Sequence, residues 1–170
     1  MSDNLDFALS YAALGWHVHP CKPDKKPYTK WGSTATTDAA KIRSWWKRWP
    51  DALIGIACEK SGMWALDVDN KNGVNGRAEF KRLIDDHGGG EYPPVGPVQR
   101  TPSGGAHFLF KLTEGINIPN NAGQLAPGLD LRSRGYICSG GAYQWQDDHG
   151  PDTYLVEAPA WGLDLIANLE

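Results

Sequence analysis

The segment Leu66-Asp67-Val68-Asp69 concentrates the chemistry of this 170-residue chain. Read as a strand, it turns both carboxylates to one face and both aliphatic side chains to the other, because successive side chains alternate. Two carboxylates about 7 Å apart along a strand repel one another unless a cation lies between them. Mg²⁺ prefers carboxylate oxygens and keeps part of its water shell, which leaves room for substrate phosphates. A D-x-D is short, and two solvating acids on a strand edge would spell the same letters. The apolar run Trp64-Ala65-Leu66 favours a central strand that delivers the acids to a pocket.

Two further segments carry compatible groups. In Gly128-Leu129-Asp130-Leu131-Arg132 the alternation puts Asp130 and Arg132 on one face. A third carboxylate beside a cation is what a two-metal site with a phosphate clamp requires, although a surface ion pair would fit as well. In Thr101-Pro102-Ser103-Gly104-Gly105-Ala106-His107 the paired glycines Gly104 and Gly105 allow backbone N–H groups to approach an anion. The strand that follows projects His107 opposite Ala106 and Phe108, where it could donate to a phosphate oxygen. A half-buried histidine satisfied by a backbone carbonyl is the plainer reading. Lys22, Lys25, Lys26 and Lys30 occupy one loop. Its default is solvation, and its functional alternative is a phosphate or template contact, with Lys30 beside Trp31 the most pointed candidate. His17, His19, His87 and His149 read as structural or exposed.

These groups need a scaffold. Leu5, Leu9, Ala12 and Ala13 share a helical stripe that predicts a helix over 3–14, stopped by Gly15. A short strand over 16–20 breaks at Pro20. Thr36 or Thr37 is the expected N-cap, with Asp38 near the positive helix end, of a helix carrying Ile42, Trp45, Trp46 and Trp49. Residues 53–57 and 63–69 resemble a hairpin around Lys60-Ser61-Gly62. A helix bears Phe80, Leu83 and Ile84. Strands follow at 98–101, 106–112, 128–134, 136–139 and 143–146, with a long polar loop over 113–127. Strands mixed with three helices predict an α+β fold with a largely antiparallel sheet.

The bulk properties bound the rest. The length suits a single domain over 1–170. A net charge of −3 carries no global signature of nucleic-acid binding, so any basic surface must be local. Eight tryptophans serve packing for the most part, with one or two free to stack on bases. Three scattered cysteines without a C-x-x-C argue against a disulfide framework or structural zinc and fit a reducing cytoplasm. No apolar run approaches the ~20 residues of a membrane span. The acidic N-terminus lacks the basic start of a signal peptide. Residues 162–170 read as a helix or linker, so the natural protein is expected to continue.

In this order the motifs resemble the primase-polymerase domain of the archaeo-eukaryotic primase superfamily, in the branch of phage and plasmid replication proteins. The D-h-D strand matches at Asp67 and Asp69, the small-x-His strand at Gly105-Ala106-His107 after Ser103-Gly104, and the h-D strand at Leu129-Asp130 with Arg132 following. The flanks match at Gly15-Trp16, Pro20, Lys26-Pro27, Trp31, Trp45-Trp46 and Ser61-Gly62. The resemblance spans roughly residues 5–147. It implies an N-terminal α/β unit beside an RRM-like catalytic module. It implies two divalent ions, Mg²⁺ or Mn²⁺, on Asp67, Asp69 and Asp130, and DNA polymerase and primase activity on a DNA template and primer with nucleoside triphosphates. One ion would activate the primer 3′-hydroxyl and both would stabilise the transition state and leaving pyrophosphate. His107 is implied to contact the triphosphate, with Arg132, Ser103, Gly104, Gly105 and Lys30 in nucleotide-binding positions. Relatives often carry serine two residues before the histidine, where this chain has Gly105. No cysteine-rich zinc element is present. The resemblance also implies a downstream helical and helicase region in a longer protein, acting in the bacterial cytoplasm without a membrane. Primer extension is then expected to exceed primer initiation in this chain alone.

Other classes make different demands. A D-x-D sugar-nucleotide transferase would have a parallel sheet and no use for the Asp130 strand. A metal-dependent nuclease would also use clustered acids, with an E-x-K on a strand after the aspartate, whereas Glu79-Phe80-Lys81 falls in the expected helix. An RRM-like binding module without catalysis would leave an acidic cluster facing DNA.

Overall fold

The computed structural model describes residues 3–169; Met1, Ser2 and Glu170, which close the two terminal readings above, lie outside them. In chain order the elements are α1 (Asp3–Ala13), β1 (Val18–Cys21), α2 (Trp31–Thr34), α3 (Ala39–Arg48), β2 (Leu53–Ala57), β3 (Met63–Val68), α4 (Gly76–His87), β4 (Val98–Arg100), β5 (Ala106–Lys111), β6 (Asn121–Ala126), β7 (Leu129–Arg132), β8 (Tyr136–Ser139), β9 (Gln144–Trp145) and α5 (Ala160–Ala167). The strands form a three-stranded sheet ordered β1-β2-β8 and a six-stranded sheet ordered β6-β7-β3-β5-β4-β9. Every pairing between these strands is antiparallel. The α+β reading holds: α1 and α3 dock on the small sheet beside a larger antiparallel module.

Two cores explain the layering. Tyr11 of α1 and Ile42, Trp45 and Trp46 of α3 bury against Val18, Ile54, Ile56 and Ile137 of the small sheet and against Met63, Ala65 and Leu109 of the large one. On the opposite face of the large sheet, Trp64, Leu66, Val68, Phe110, Leu129 and Leu131 meet Phe80, Leu83 and Ile84 of α4 and Ile166 of α5. Strand β3 is therefore covered on both faces, and all of its residues are buried. That is the central-strand environment read from Trp64-Ala65-Leu66. Burial of each such side chain contributes about 1.5–3 kcal/mol.

The structure corrects four local readings. β2 and β3 are not a hairpin: β2 pairs with β1 and β8, while β3 pairs with β5 and β7. A turn does lie between them, with Gly62 N–H donating to Glu59 O at 3.0 Å, but the strands leave it for different sheets. Residues 113–127 are not all loop, since β6 pairs with β7 through an irregular register between Ala122 and Ala126. The N-cap of α3 is Asp38, whose Oδ1 accepts from Ala40 N–H at 3.0 Å, rather than a threonine. Trp31–Thr34 adds a short helix within what reads as a loop. Among the described residues no helix is long and apolar enough to cross a membrane.

Candidate active site

The strand register builds the site. Asp67 of β3 stands directly opposite His107 of β5 and, on its other side, Asp130 of β7. His107 in turn stands opposite Gln99 of β4. A row of polar side chains thus crosses the large sheet on the face that also carries Met63 and Ala65. Asp69 follows one residue beyond β3. Its N–H donates to Gly128 O at 2.8 Å, and its carbonyl accepts from Gly76 N–H at 2.7 Å. Gly76 is obligatory there: an added Cβ would fall 2.6 Å from both Asp69 O and Gly128 O. The glycine-bearing loop after D-x-D thus lets α4 begin hard against the end of β3.

One carboxylate oxygen from each of Asp67, Asp69 and Asp130 lies within 4.8 Å of the others. Arg132 Nη2 is 3.6 Å from Asp67 Oδ2 and 3.6 Å from Asp130 Oδ2. His107 Nε2 is 3.6 Å from Asp67 Oδ1, too long for a hydrogen bond. Burial pushes the Asp67 carboxyl up, but the His107 ring, Arg132 and Lys25 outweigh it and leave Asp67 below the ordinary carboxylate range. Asp130 is held above that range by burial and then by the charges of Asp67 and Asp69, against the pull of Arg132 and the Gly123 N–H. Three hard oxygen donors with one ionisation resisted by the other two are a donor set that suits a divalent cation.

Asp67 and Asp69 open onto a cavity of about 340 Å³ whose wall also includes His107, Arg132, Thr101 and Ser103 from the large sheet and its loops. That volume is in the range of small-ligand sites. Its other wall comes from the small sheet and its neighbours: Lys25, Trp31, Tyr136 and Cys138. These aromatics are braced from below. His19 of β1 stacks on Trp31 with ring centroids 5.6 Å apart and meets Tyr136 edge-on at 4.7 Å. Gly55 of β2 makes room, because a Cβ there would overlap the His19 ring. Burial lowers the His19 pKa to about 4, so His19 is neutral at physiological pH. Lys25 takes a positive φ of 75°, and its carbonyl accepts from Tyr136 OH at 2.7 Å.

The structure brings Asp67, Asp69, Asp130, His107, Arg132 and Ser103 together. Gly104 and Gly105 adjoin them, but their N–H groups are used inside the turn, on Thr101 O at 3.0 Å and Thr101 Oγ1 at 3.1 Å. Gly105 is required by packing, since a Cβ would overlap Val68 O. Lys30 is exposed ahead of α2, and the cavity wall carries Lys25 and Lys71 instead. Tyr136, Tyr143 and Gln99 were not singled out in the sequence, and Lys25 and Trp31 entered only through the lysine loop and the tryptophan that flanks it. Only the Lys25–Trp31 loop gave a signal, through its charge and its tryptophan.

Crowded carboxylates flanked by cations, in a cavity with one polar and one aromatic wall on an α+β scaffold, are the groups that metal-assisted phosphate chemistry would require. The chain belongs to the bifunctional DNA primase/polymerase N-terminal domain family, whose model matches residues 8–161. Membership makes this a domain for nucleotidyl transfer of the primase/polymerase type, with DNA and nucleotides as substrates. Enzymes of the family typically depend on divalent metal, and the triad of buried Asp67 with half-buried Asp69 and Asp130 could bind one. No curated protein sequence matches the chain.

Proposed function

We propose that this chain extends DNA primers on a template by a two-metal mechanism, with Asp67, Asp69 and Asp130 holding two ions, Mg²⁺ or Mn²⁺. The observation that carries this reading is the convergence of three carboxylates within 4.8 Å beside Arg132 and His107. Divalent ions held there supply charge stabilisation at the reacting phosphoryl oxygens and acidify the attacking hydroxyl. Arg132 is half-exposed, so its guanidinium can leave the acids and clamp a phosphate bidentately. His107 offers an N–H to the triphosphate. Lys25, Lys71, Thr101 and Ser103 supply cations and hydroxyls along the same wall, and Gly104 and Gly105 shape the turn that presents the last two. Trp31, Tyr136 and Tyr143 offer flat faces to a base. Lys30 is exposed and outside the cavity wall, which supports its alternative role at a template-strand phosphate over the nucleotide contact.

The wider setting belongs to the same proposal. Residues 1–170 form one catalytic domain at the N-terminal part of a longer phage or plasmid replication protein. That protein works in the bacterial cytoplasm with a downstream helical and helicase region. The test is primer extension with deoxynucleotides and either metal, comparing the chain with Asp67→Ala and Asp130→Ala variants whose folding is verified by circular dichroism. Extension that disappears in both variants supports the two-metal reading. Extension that persists in either removes that aspartate from the metal site. Metal-independent DNA binding without any extension would instead mark a binding module.

A further inference from the structure

Gln99 is fully buried in β4, at the seam between the two sheets. Its side chain reaches three partners. Gln99 Nε2 lies 2.7 Å from Cys138 O and 2.8 Å from His107 Nδ1. Gln99 Oε1 accepts from Ser139 Oγ at 3.0 Å. Cys138 and Ser139 belong to β8 of the small sheet, and His107 belongs to β5 of the large one. The amide orientation follows from chemistry. A backbone carbonyl can only accept, so the group facing Cys138 O must be the NH₂.

The remaining hydrogens are then committed one after another. Trp145 Nε1, a donor only, gives its hydrogen to Tyr11 OH at 2.9 Å. Ser139 spends its hydrogen on Gln99 Oε1, so the 2.8 Å contact between Tyr11 OH and Ser139 Oγ must run from tyrosine to serine. Gln99 Nε2 has two hydrogens. One goes to Cys138 O and the other points at His107 Nδ1, which must therefore accept. The ring hydrogen of His107 resides on Nε2, the nitrogen that faces Asp67 in the cavity wall. Tyr143 stacks on the same ring at 6.0 Å between centroids and restrains its plane.

We infer that Gln99 is a positioning residue: its amide holds His107 as the Nε2–H tautomer, so that the ring presents a hydrogen-bond donor to the cavity. That the donor meets a nucleotide phosphate oxygen rests on the function proposed above; the tautomer does not. A glutamine that only tied the sheets together could use any third partner. This one uses the β5 side chain that stands opposite Asp67, and its orientation is imposed by Cys138 O and Ser139 Oγ of the small sheet.

The test is a two-bond ¹H–¹⁵N correlation spectrum of the histidine rings in the ¹⁵N-labelled full chain without metal, at mildly alkaline pH. His107 is assigned by the cross-peaks that vanish in His107→Ala. The wild-type ring should show the Nε2–H pattern. Gln99→Met, which offers no donor of similar size, should release it to a mixture of both tautomers. Gln99→Glu, whose carboxylate accepts from Nδ1–H, should invert it. An Nδ1–H ring in the wild type overturns the proposal even if neither variant folds. An unchanged Nε2–H ring in a folded variant overturns it as well. The functional clause is read separately by steady-state extension: Gln99→Met should raise the nucleotide KM about tenfold, the loss expected for one hydrogen bond, with kcat little changed. The expected tautomers with an unmoved KM would retain the positioning role and reject the phosphate contact.

Discussion

Asp67 and His107 face each other across the β3–β5 ladder, with His107 Nε2 3.6 Å from Asp67 Oδ1. The pair joins a metal-binding candidate to a phosphate-binding candidate in a single cross-strand step. Removing the ring should therefore have two separable effects. His107→Ala leaves a hydrogen of the buried Gln99 amide without its acceptor, which should lower stability in urea by about 1–3 kcal/mol. It should also lower kcat/KM for the nucleotide by about 10- to 100-fold, as expected for one charge-assisted hydrogen bond.

The Asp130 carboxyl is raised by burial and by its acidic neighbours. Its ionised form is thus disfavoured in the folded, metal-free chain, and the penalty applies at neutral pH and is relieved as pH falls. Asp130→Asn keeps the acceptor for Gly123 N–H and removes the charge. Melting without metal at neutral pH should rise by a modest amount, on the order of 2 °C after allowance for solvent screening. Extension should be lost. A lower melting temperature would contradict the repulsion argument.

His19 behaves in the opposite sense on acidification. Burial lowers its pKa to about 4, below the ~6.5 of an unfolded chain. The unfolded state binds the extra proton first, so stability falls as pH drops from about 6.5 toward about 4. The cost is of order 3 kcal/mol by the bottom of that window. Urea midpoints measured across it should decline in the wild type and decline less in His19→Phe, which keeps an aromatic ring against Trp31. The depressed Asp67 adds a further acid loss, which sets in as pH falls through the ordinary carboxylate range and continues below it, so it joins the His19 contribution only toward the bottom of that window.

Gly105→Ala would place a methyl against Val68 O. Backbone cannot yield as a side chain end does, so β5 must separate from β3 next to His107. A loss of about 1–3 kcal/mol is expected from overpacking, with the damage concentrated at the site. Hydrogen exchange at Ala106 and Val68, which are opposite in the ladder, should accelerate more than exchange elsewhere in the large sheet.

Lys25 holds a backbone conformation natural to glycine. Lys25→Gly removes the cation while relieving that conformation, and its effect on stability should stay within about 1 kcal/mol. Nucleotide binding in the presence of metal should weaken several-fold, measured by calorimetry. Unchanged affinity would exclude Lys25 from the triphosphate site.

How much of this could be read beforehand depends on whether the signal is local. Asp67 and Asp69, and Asp130 with Arg132, were legible because strand alternation is written in neighbouring residues. The six-strand order was not, because pairing partners are set by burial across the whole chain. Lys60-Ser61-Gly62 turns as it reads, yet β2 and β3 part company after it. β6 escaped notice because Asn121, Ala122, Gly123 and Gln124 have no alternating pattern, and the strand is an irregular edge with exposed residues. Tyr136 and Tyr143 looked like any core aromatics, and a wall of the cavity emerges only when two sheets meet. Gln99 has no motif at all, because its role depends on three partners, two of them from a distant strand.

The order of the strands also sets a schedule for synthesis. β2 takes its second neighbour, β8, from residues 136–139, and β3 takes β7 from residues 129–132. A nascent chain emerged only as far as β5 already displays Asp67, Asp69 and His107. It still lacks Asp130, Arg132 and Tyr136, and it leaves β2 of the small sheet and β3 and β4 of the large one without their last partners. Such edges invite association with other chains until they are covered. The proposed metal and nucleotide site is thus completed late in translation, together with the closure of both sheets.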